Sequence, residues 1–199
     1  MDNNGEEEIK VILIGESGTG KTSLINATMG LKFKEHLEST ATNSFSSKKV
    51  TINNKEYILN LWDTIGQEKF RSLTKIFIKD SKIVILVYDI TRKESFEQLD
   101  FWHNMIHDIL GDEPVLGICG NKSDLFVREQ VKEETIKKYS EDKKIPFKLT
   151  SAKNPLSFNK FLEELVKQYI EKNGGVTTGG AGGKVDLKKE KKPDKKRFC

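Results

Sequence analysis

A glycine-rich loop that follows an apolar run limits how this chain can fold more than any other feature. Residues 15 to 22 are Gly-Glu-Ser-Gly-Thr-Gly-Lys-Thr, and they come directly after the run Val11 to Ile14. They fill every fixed position of the pattern G-x-x-x-x-G-K-[ST]. The backbone N–H groups of such a loop point at phosphate oxygens, and a helix that begins near Lys21 adds the positive end of its dipole. The loop therefore predicts a polyphosphate site between a strand and a helix.

The side chains of this loop have separate expected roles. Lys21 is expected to neutralise charge on the β- and γ-phosphates, and the Thr22 hydroxyl to take one position on a bridging Mg²⁺ ion. The other phosphate-binding positions that we predict are Ser17, Gly18, Thr19, Gly20 and Ser23. Kinases, ATPases and GTPases all use such a loop, so the nucleotide has to be inferred from other parts of the chain.

A candidate base-reading site lies in Asn121-Lys122-Ser123-Asp124. It follows the apolar run Val115 to Cys119, so we expect it at the carboxyl end of a strand, where open α/β sheets bind ligands. Ionised Asp124 accepts two donors, which guanine offers as N1–H and N2–H₂, whereas adenine presents an unprotonated N1. A buried acceptor without its donor costs about 1 to 3 kcal/mol, so this carboxylate predicts guanine. Asn121 would fix the loop and the base. A second strand end adds backbone N–H groups and a lysine stem, from Ser151, Ala152 and Lys153.

The chemistry is expected between these segments. Asp63 follows the alternating segment Tyr57 to Leu61 and would hold Mg²⁺, and the Gly66 N–H would bond the γ-phosphate. Gln67 carries an amide that both donates and accepts, so it can align an attacking water. Thr40 is the candidate second hydroxyl on Mg²⁺. Loops that depend on the γ-phosphate would be ordered with GTP and released after hydrolysis.

These segments, in this order, resemble the Ras superfamily of small GTPases over residues 8 to 172, and they are most similar to the Rab branch. The matching stretches are GESGTGKTSL, WDTIGQEKFRSL, LVYDIT, GNKSD and TSAKN. The resemblance implies a P-loop NTPase of the small G-protein fold, which binds GTP and GDP with Mg²⁺ and acts in vesicle traffic. It also implies regulators and effectors as partners: an exchange factor, a GTPase-activating protein, an escort protein and a GDP-dissociation inhibitor.

Three departures from the Rab pattern fall on segments used for switching and partner choice. Ile65 stands where the family normally has alanine, and its stiffer, bulkier side chain predicts altered hydrolysis or exchange. Residues 41 to 45 and 77 to 81 also differ from the family. Aromatic side chains nevertheless occupy the three positions of the Rab effector triad, which are Phe45, Trp62 and Phe77.

The apolar pattern predicts an α/β domain over residues 1 to 173. Apolar runs at 9 to 14, 83 to 88, 115 to 119 and 145 to 149 alternate with amphipathic segments, as parallel strands joined by helices do. A hairpin through Asn53-Asn54 would add two strands, giving a six-stranded, mostly parallel sheet. Thr91 and Glu94 predict a capping box for a helix that runs to Ile109, and an apolar face from Phe158 to Ile170 predicts the last helix.

Residues 174 to 199 differ in composition and are expected to form a flexible tail. Residues 174 to 183 contain six glycines, and Lys184 to Cys199 contains eight basic and three acidic residues. The net charge of Lys184 to Cys199 is therefore 8 − 3 = +5, which exceeds the net charge of +4 for the whole chain. The basic balance therefore belongs to the tail, which disfavours nucleic-acid binding by the domain. A lipid on Cys199 together with the basic residues would supply two membrane signals. The acidic Met1 to Glu8 shows no apolar signal region, so we expect a cytoplasmic chain, which its tail would make peripheral on a cytosolic membrane face. We also expect a monomer.

Two alternatives remain open at this point. Ile65 and the altered residues 41 to 45 favour a slow or non-hydrolysing, GTP-bound scaffold of the same fold. A small-molecule kinase would share the phosphate loop, but Gln67 and the guanine-reading residues disfavour this alternative.

Overall fold

The computed structural model describes residues 7–35, 44–64 and 71–174. The strands are β1 (Glu7–Ile14), β2 (Ser44–Ile52), β3 (Lys55–Asp63), β4 (Ile83–Asp89), β5 (Val115–Asn121) and β6 (Phe147–Leu149). The helices are α1 (Lys21–Thr28), α2 (Arg71–Ile78), α3 (Lys93–Glu97), α4 (Leu99–Leu110), α5 (Glu133–Lys143) and α6 (Leu156–Asn173), and a 3₁₀ helix spans Ser123–Arg128. Within these three ranges, no helix has the length and apolar character to cross a bilayer.

The strands form one six-stranded sheet in the order β2-β3-β1-β4-β5-β6. Only β2 and β3 are antiparallel, and the other pairs are parallel. The turn between β2 and β3 is Asn53-Asn54, whose φ angles of 51° and 61° are those that a two-residue hairpin turn requires. The predicted six-stranded, mostly parallel sheet of the small G-protein fold is confirmed.

Both faces of the sheet are covered, which explains the long apolar runs. Odd-numbered residues of β1, such as Ile9 and Val11, belong to a core with α1 and α6, whereas Ile12 and Ile14 belong to a core with α4 and α5. This alternation follows from the two-residue period of a strand. Every residue of β4 is buried, as expected for a central parallel strand. The carboxyl ends of β1, β3, β4 and β5 consequently meet at one edge, where the candidate site lies.

The predicted capping box is wrong. The helix begins at Lys93, its N-cap residue is Arg92, and no side chain caps it. The Thr91 N–H and hydroxyl both donate to Asp89 Oδ1, at 2.9 and 2.7 Å, so Thr91 belongs to a turn on this buried carboxylate and the helix begins one residue later than a Thr91 cap requires. The helix is also divided at Gln98 into α3 and α4, rather than continuous to Ile109.

Candidate nucleotide site

The loop between β1 and α1 is shaped by two close backbone approaches. At Gly15, a Cβ atom would clash with the carbonyl oxygen of Val87 in β4. At Gly20, φ is 93° and a Cβ atom would clash with the side-chain amide of Asn121. Glycine is therefore required at both positions, and the loop lies against the ends of β4 and β5.

Lys21 carries a buried ammonium group inside this loop. The residue is only 5% exposed, and its Nζ donates to the carbonyl oxygens of Gly15 at 2.7 Å and Glu16 at 3.0 Å. Loss of hydration lowers the lysine pKa to about 8, although the carboxylates of Asp63 and Glu16 act in the opposite direction. A cation held with so little compensating charge suits a polyphosphate, which would supply negative charge next to it.

Thr22 and Asp63 place two oxygen ligands side by side. The Thr22 hydroxyl donates to Asp63 Oδ2 at 2.7 Å, and Asp63 is buried at the end of β3. A hydroxyl and a carboxylate are hard oxygen donors of the kind that Mg²⁺ prefers, so these residues fit that ion. Three further predicted residues of the catalytic and metal-binding set, namely Thr40, Gly66 and Gln67, lie outside the described residues, as does Ile65.

Asn121 joins the phosphate loop to the end of β5. Its Nδ2 donates to the carbonyl oxygen of Thr19 at 2.8 Å, across 102 residues of sequence, and the side chain is buried. Its Oδ1 is also buried and has no hydrogen-bond partner among the described residues. Asn121 therefore links the end of β5 to the phosphate loop, and its contact with a base stays a prediction.

Asp124 lies among the predicted base-reading residues. Its Oδ1 accepts a hydrogen bond from Ser151 Oγ at 2.6 Å, and its Oδ2 lies 3.3 Å from Lys153 Nζ. Partial burial raises the carboxyl pKa, but the hydrogen bonds from Ser151 and Lys153 outweigh this effect, so the pKa lies below its ordinary value. The carboxylate is ionised at neutral pH and 28% exposed, so it can still accept donors from a ligand. Ala152 is buried beside it.

Sequence reasoning missed three residues near this site. Phe33 has its ring centroid 5.4 Å from Lys153 Nζ and is 40% exposed, so it offers an aromatic face beside the base-reading residues. Asp89 forms an ion pair of 2.6 Å with Lys122, and Arg92 donates to the carbonyl oxygen of Ser17 at 2.7 Å. An aromatic residue in a polar stretch after α1 was a usable signal for Phe33, whereas the contacts of Asp89 and Arg92 depend on the strand order.

The three aromatic residues of the predicted partner surface lie together. The ring centroids of Phe45 and Trp62 are 5.0 Å apart, and those of Trp62 and Phe77 are 5.9 Å apart. Phe45 is 55% exposed at the edge strand, and Lys10 lies over the Trp62 ring. The geometry is that of one continuous aromatic patch, which stays a predicted effector surface.

Comparisons with known proteins agree with this geometry. A family model described as the Ras family matches residues 10–171. The chain is 34% identical to the Ras-related protein Rab-2B of Dictyostelium discoideum over 167 residues, or 84% of this chain and 83% of that protein. It is 32% identical to human Rab-22A over 192 residues, 96% and 97% of the two chains. It is 37% identical to Rab-21 of Geodia cydonium over 164 residues, 82% and 72% of the two chains.

Proposed function

Because this chain belongs to the Ras family and is a divergent, Rab-like small GTPase, we propose that it binds GTP and GDP with Mg²⁺, hydrolyses GTP, and acts as a switch in membrane traffic. The observation that carries the proposal is the position of three groups at one sheet edge. The buried Lys21 ammonium, the Thr22–Asp63 oxygen pair and the ionised Asp124 carboxylate serve the phosphates, the metal and the base respectively.

Each residue has a defined task in this proposal. Lys21 and the loop amides bind the β- and γ-phosphates, and Thr22, Asp63 and Thr40 hold Mg²⁺. Bound Mg²⁺ neutralises charge on the phosphate oxygens. Gln67 orients the attacking water, and the Gly66 N–H binds the γ-phosphate. We assign no arginine of this chain to the transition state, so hydrolysis is slow until an activating protein accelerates it by about 10³ to 10⁵.

The base is held by residues from two strand ends. Asp124 accepts the N1–H and N2–H₂ donors of guanine, and Asn121 holds the base-binding loop against the phosphate loop. Lys122, Ser151, Ala152 and Lys153 line the base, and Phe33 offers its exposed ring. Ser17, Gly18, Thr19, Gly20 and Ser23 complete the phosphate site.

Cellular action rests on surfaces beyond the nucleotide. We assign residues 1–173 to the GTPase domain and residues 174–199, which end in Cys199, to a membrane tether. The tail holds the monomer on a cytosolic membrane face. An exchange factor, an activating protein and effectors act through the switch segments and the aromatic patch, and an escort protein and a GDP-dissociation inhibitor handle the lipidated tail.

The test combines binding and turnover of the purified full chain. Calorimetry with GDP, GTP and ATP in the presence of Mg²⁺ is expected to show tight binding of both guanine nucleotides and weak binding of ATP. Phosphate release from GTP is then followed without any acceptor, with Gln67→Ala as the control for contaminating phosphatase. Equal binding of ATP would contradict the assignment of Asp124. GTP binding with phosphate release no faster than in Gln67→Ala would contradict hydrolysis.

A further inference from the structure

Arg92 contacts the phosphate loop from outside the nucleotide site. Its guanidinium donates to the Ser17 carbonyl oxygen at 2.7 Å, and two of its nitrogens lie 3.8 Å from the position that a Cβ of Gly18 would occupy. Its side chain is 44% exposed. Arg92 therefore holds the backbone of the phosphate loop at Ser17.

The same guanidinium lies next to a buried carboxylate. Arg92 Nε is 3.6 Å from Asp89 Oδ2, and Asp89 is 1% exposed at the end of β4. The same oxygen lies 2.6 Å from Lys122 Nζ. Asp89 therefore connects Arg92, which contacts the phosphate loop, with Lys122 of the base-reading segment. These two loops are far apart in the sequence, since 104 positions separate Ser17 from Asn121.

The backbone around Arg92 is fixed by short hydrogen bonds. Arg92 N donates to the Asp89 carbonyl oxygen at 3.0 Å, and the buried Ser95 hydroxyl donates to the Arg92 carbonyl oxygen at 2.7 Å. Thr91 N and its hydroxyl both donate to Asp89 Oδ1. The backbone from which the guanidinium extends is consequently fixed, so binding to the loop has to order only the side chain of Arg92.

We propose that Arg92 is a positioning residue that clamps the phosphate loop to the base-binding loop through Asp89 and Lys122, and thereby slows release of the bound nucleotide. This inference rests on the proposed guanine-nucleotide binding. Release requires the phosphate loop to open, and opening separates Arg92 from Ser17. The positive charge of Arg92 also adds to the field that attracts phosphate.

The experiment measures release of N-methylanthraniloyl-GDP from the full chain into excess unlabelled GDP. Arg92→Ala is expected to release the probe about fivefold faster, because a charged hydrogen bond at a partly exposed position is lost. Arg92→Lys keeps the charge near Asp89 but lacks the planar guanidinium with its several N–H donors. Its release rate is therefore expected to lie between those of Arg92→Ala and the unmodified chain.

The matched control is Lys93→Ala at the next position. Lys93 Nζ forms a surface ion pair with Glu97 at 3.0 Å, so Lys93→Ala removes the same charge at an exposed position that does not contact the phosphate loop through this pair. Its release rate is expected to equal that of the unmodified chain. An equal rise in Lys93→Ala and Arg92→Ala would reduce the effect to net charge and overturn the proposal.

A double-mutant cycle tests the link through Asp89. In an Asp89→Asn background, adding Arg92→Ala is expected to change the release rate less than twofold, because coupled residues are not additive. An undiminished fivefold effect in that background would overturn the clamp. Normal GDP binding with identical release from Arg92→Ala, Arg92→Lys and the unmodified chain also overturns it and leaves the GTPase assignment intact. An unmodified chain that binds no GDP would overturn both.

Discussion

Lys21 carries a buried charge whose protonation is linked to the stability of the nucleotide-free protein. Its pKa falls from 10.5 to about 8 on folding, so the unfolded chain binds more protons above pH 7. The free energy of unfolding therefore rises with pH between about 8 and 10.5. The destabilisation that comes from burying the ammonium group is complete only below pH 8. We expect the free energy of unfolding to increase by roughly 1.4 kcal/mol between pH 7 and 9, relative to a Lys21→Met variant.

The measurement is urea unfolding of the nucleotide-free protein at each pH, with Lys21→Met as the reference that cancels every other titrating group. Saturation with GDP is expected to abolish the difference, because phosphate stabilises the ammonium form. A difference that stays constant from pH 7 to 9 without nucleotide would show that Lys21 is not deprotonated in this range.

Asp124 is expected to determine the choice of base. Asp124→Ala removes the acceptor for two guanine donors, so the Kd for GDP is expected to rise about 100-fold or more, with little change for ATP. Isothermal calorimetry measures both constants. Asp142→Ala, which removes an exposed carboxylate on α5, is the matched control and should leave both unchanged. Parallel losses for GDP and ATP would mean that Asp124 supports the loop and does not read the base.

Single side chains show where sequence reasoning reached its limit. The pattern around Lys21 and Asp124 predicted which residues gather at the site, because motif spacing reports the strand ends directly. It did not predict that Asp124 accepts from Ser151 and Lys153, or that Lys122 pairs with Asp89. Such contacts depend on rotamers and on distances across the sheet, which no local pattern encodes.

Asn53-Asn54 shows a case where an element and its turn were both predictable. Alternating apolar residues on each side and two asparagines between them specify a hairpin, and the structure has both in the left-handed region. By contrast, the division between α3 and α4 at Gln98 escaped prediction. The apolar period continues through Gln98, so no residue pattern marks the break. The hydrogen bonds from Thr91 to Asp89 depend on the burial of Asp89 at the end of β4, which only the folded sheet determines.

The same turn supports a stability prediction. Asn54→Val places a β-branched side chain at a φ of 61°, so we expect a loss of about 1 to 2 kcal/mol in the free energy of unfolding. Asn54→Gly removes the steric conflict and should leave stability equal or slightly higher. Thr51→Val, at an exposed strand position nearby, is the control for the introduced side chain. Urea denaturation of the GDP-bound protein checks all three, and a harmless Asn54→Val would contradict the turn geometry.

For the molecule as a whole, the division of charge predicts separable domain and tail functions. Removing Lys184 to Cys199 takes away +5 and leaves −1 on residues 1 to 183. We expect the full chain without a lipid on Cys199 to bind phosphatidylserine vesicles in low salt and to be released by high salt, since each basic residue contributes about 1 kcal/mol near an anionic surface.

Vesicle sedimentation of the full chain and of a chain that ends at Gly183 makes this measurement, with phosphatidylcholine vesicles as the control. The shortened chain is expected to stay in solution and to bind GDP with unchanged affinity. Vesicle binding that survives the truncation would place the membrane contact on the domain.

The strand order also has a consequence for biosynthesis. β1 is made first but lies between β3 and β4, so this strand has no neighbour until the ribosome has added residues up to Asp63 and lacks its second neighbour until Asp89. The phosphate-contacting half of the protein is therefore complete before Asp124 and Lys153 have been translated, and a nascent chain meets the polyphosphate end of its ligand before it can discriminate the base. Nucleotide loading during translation would accordingly begin without selectivity and become selective only as the last third of the domain emerges.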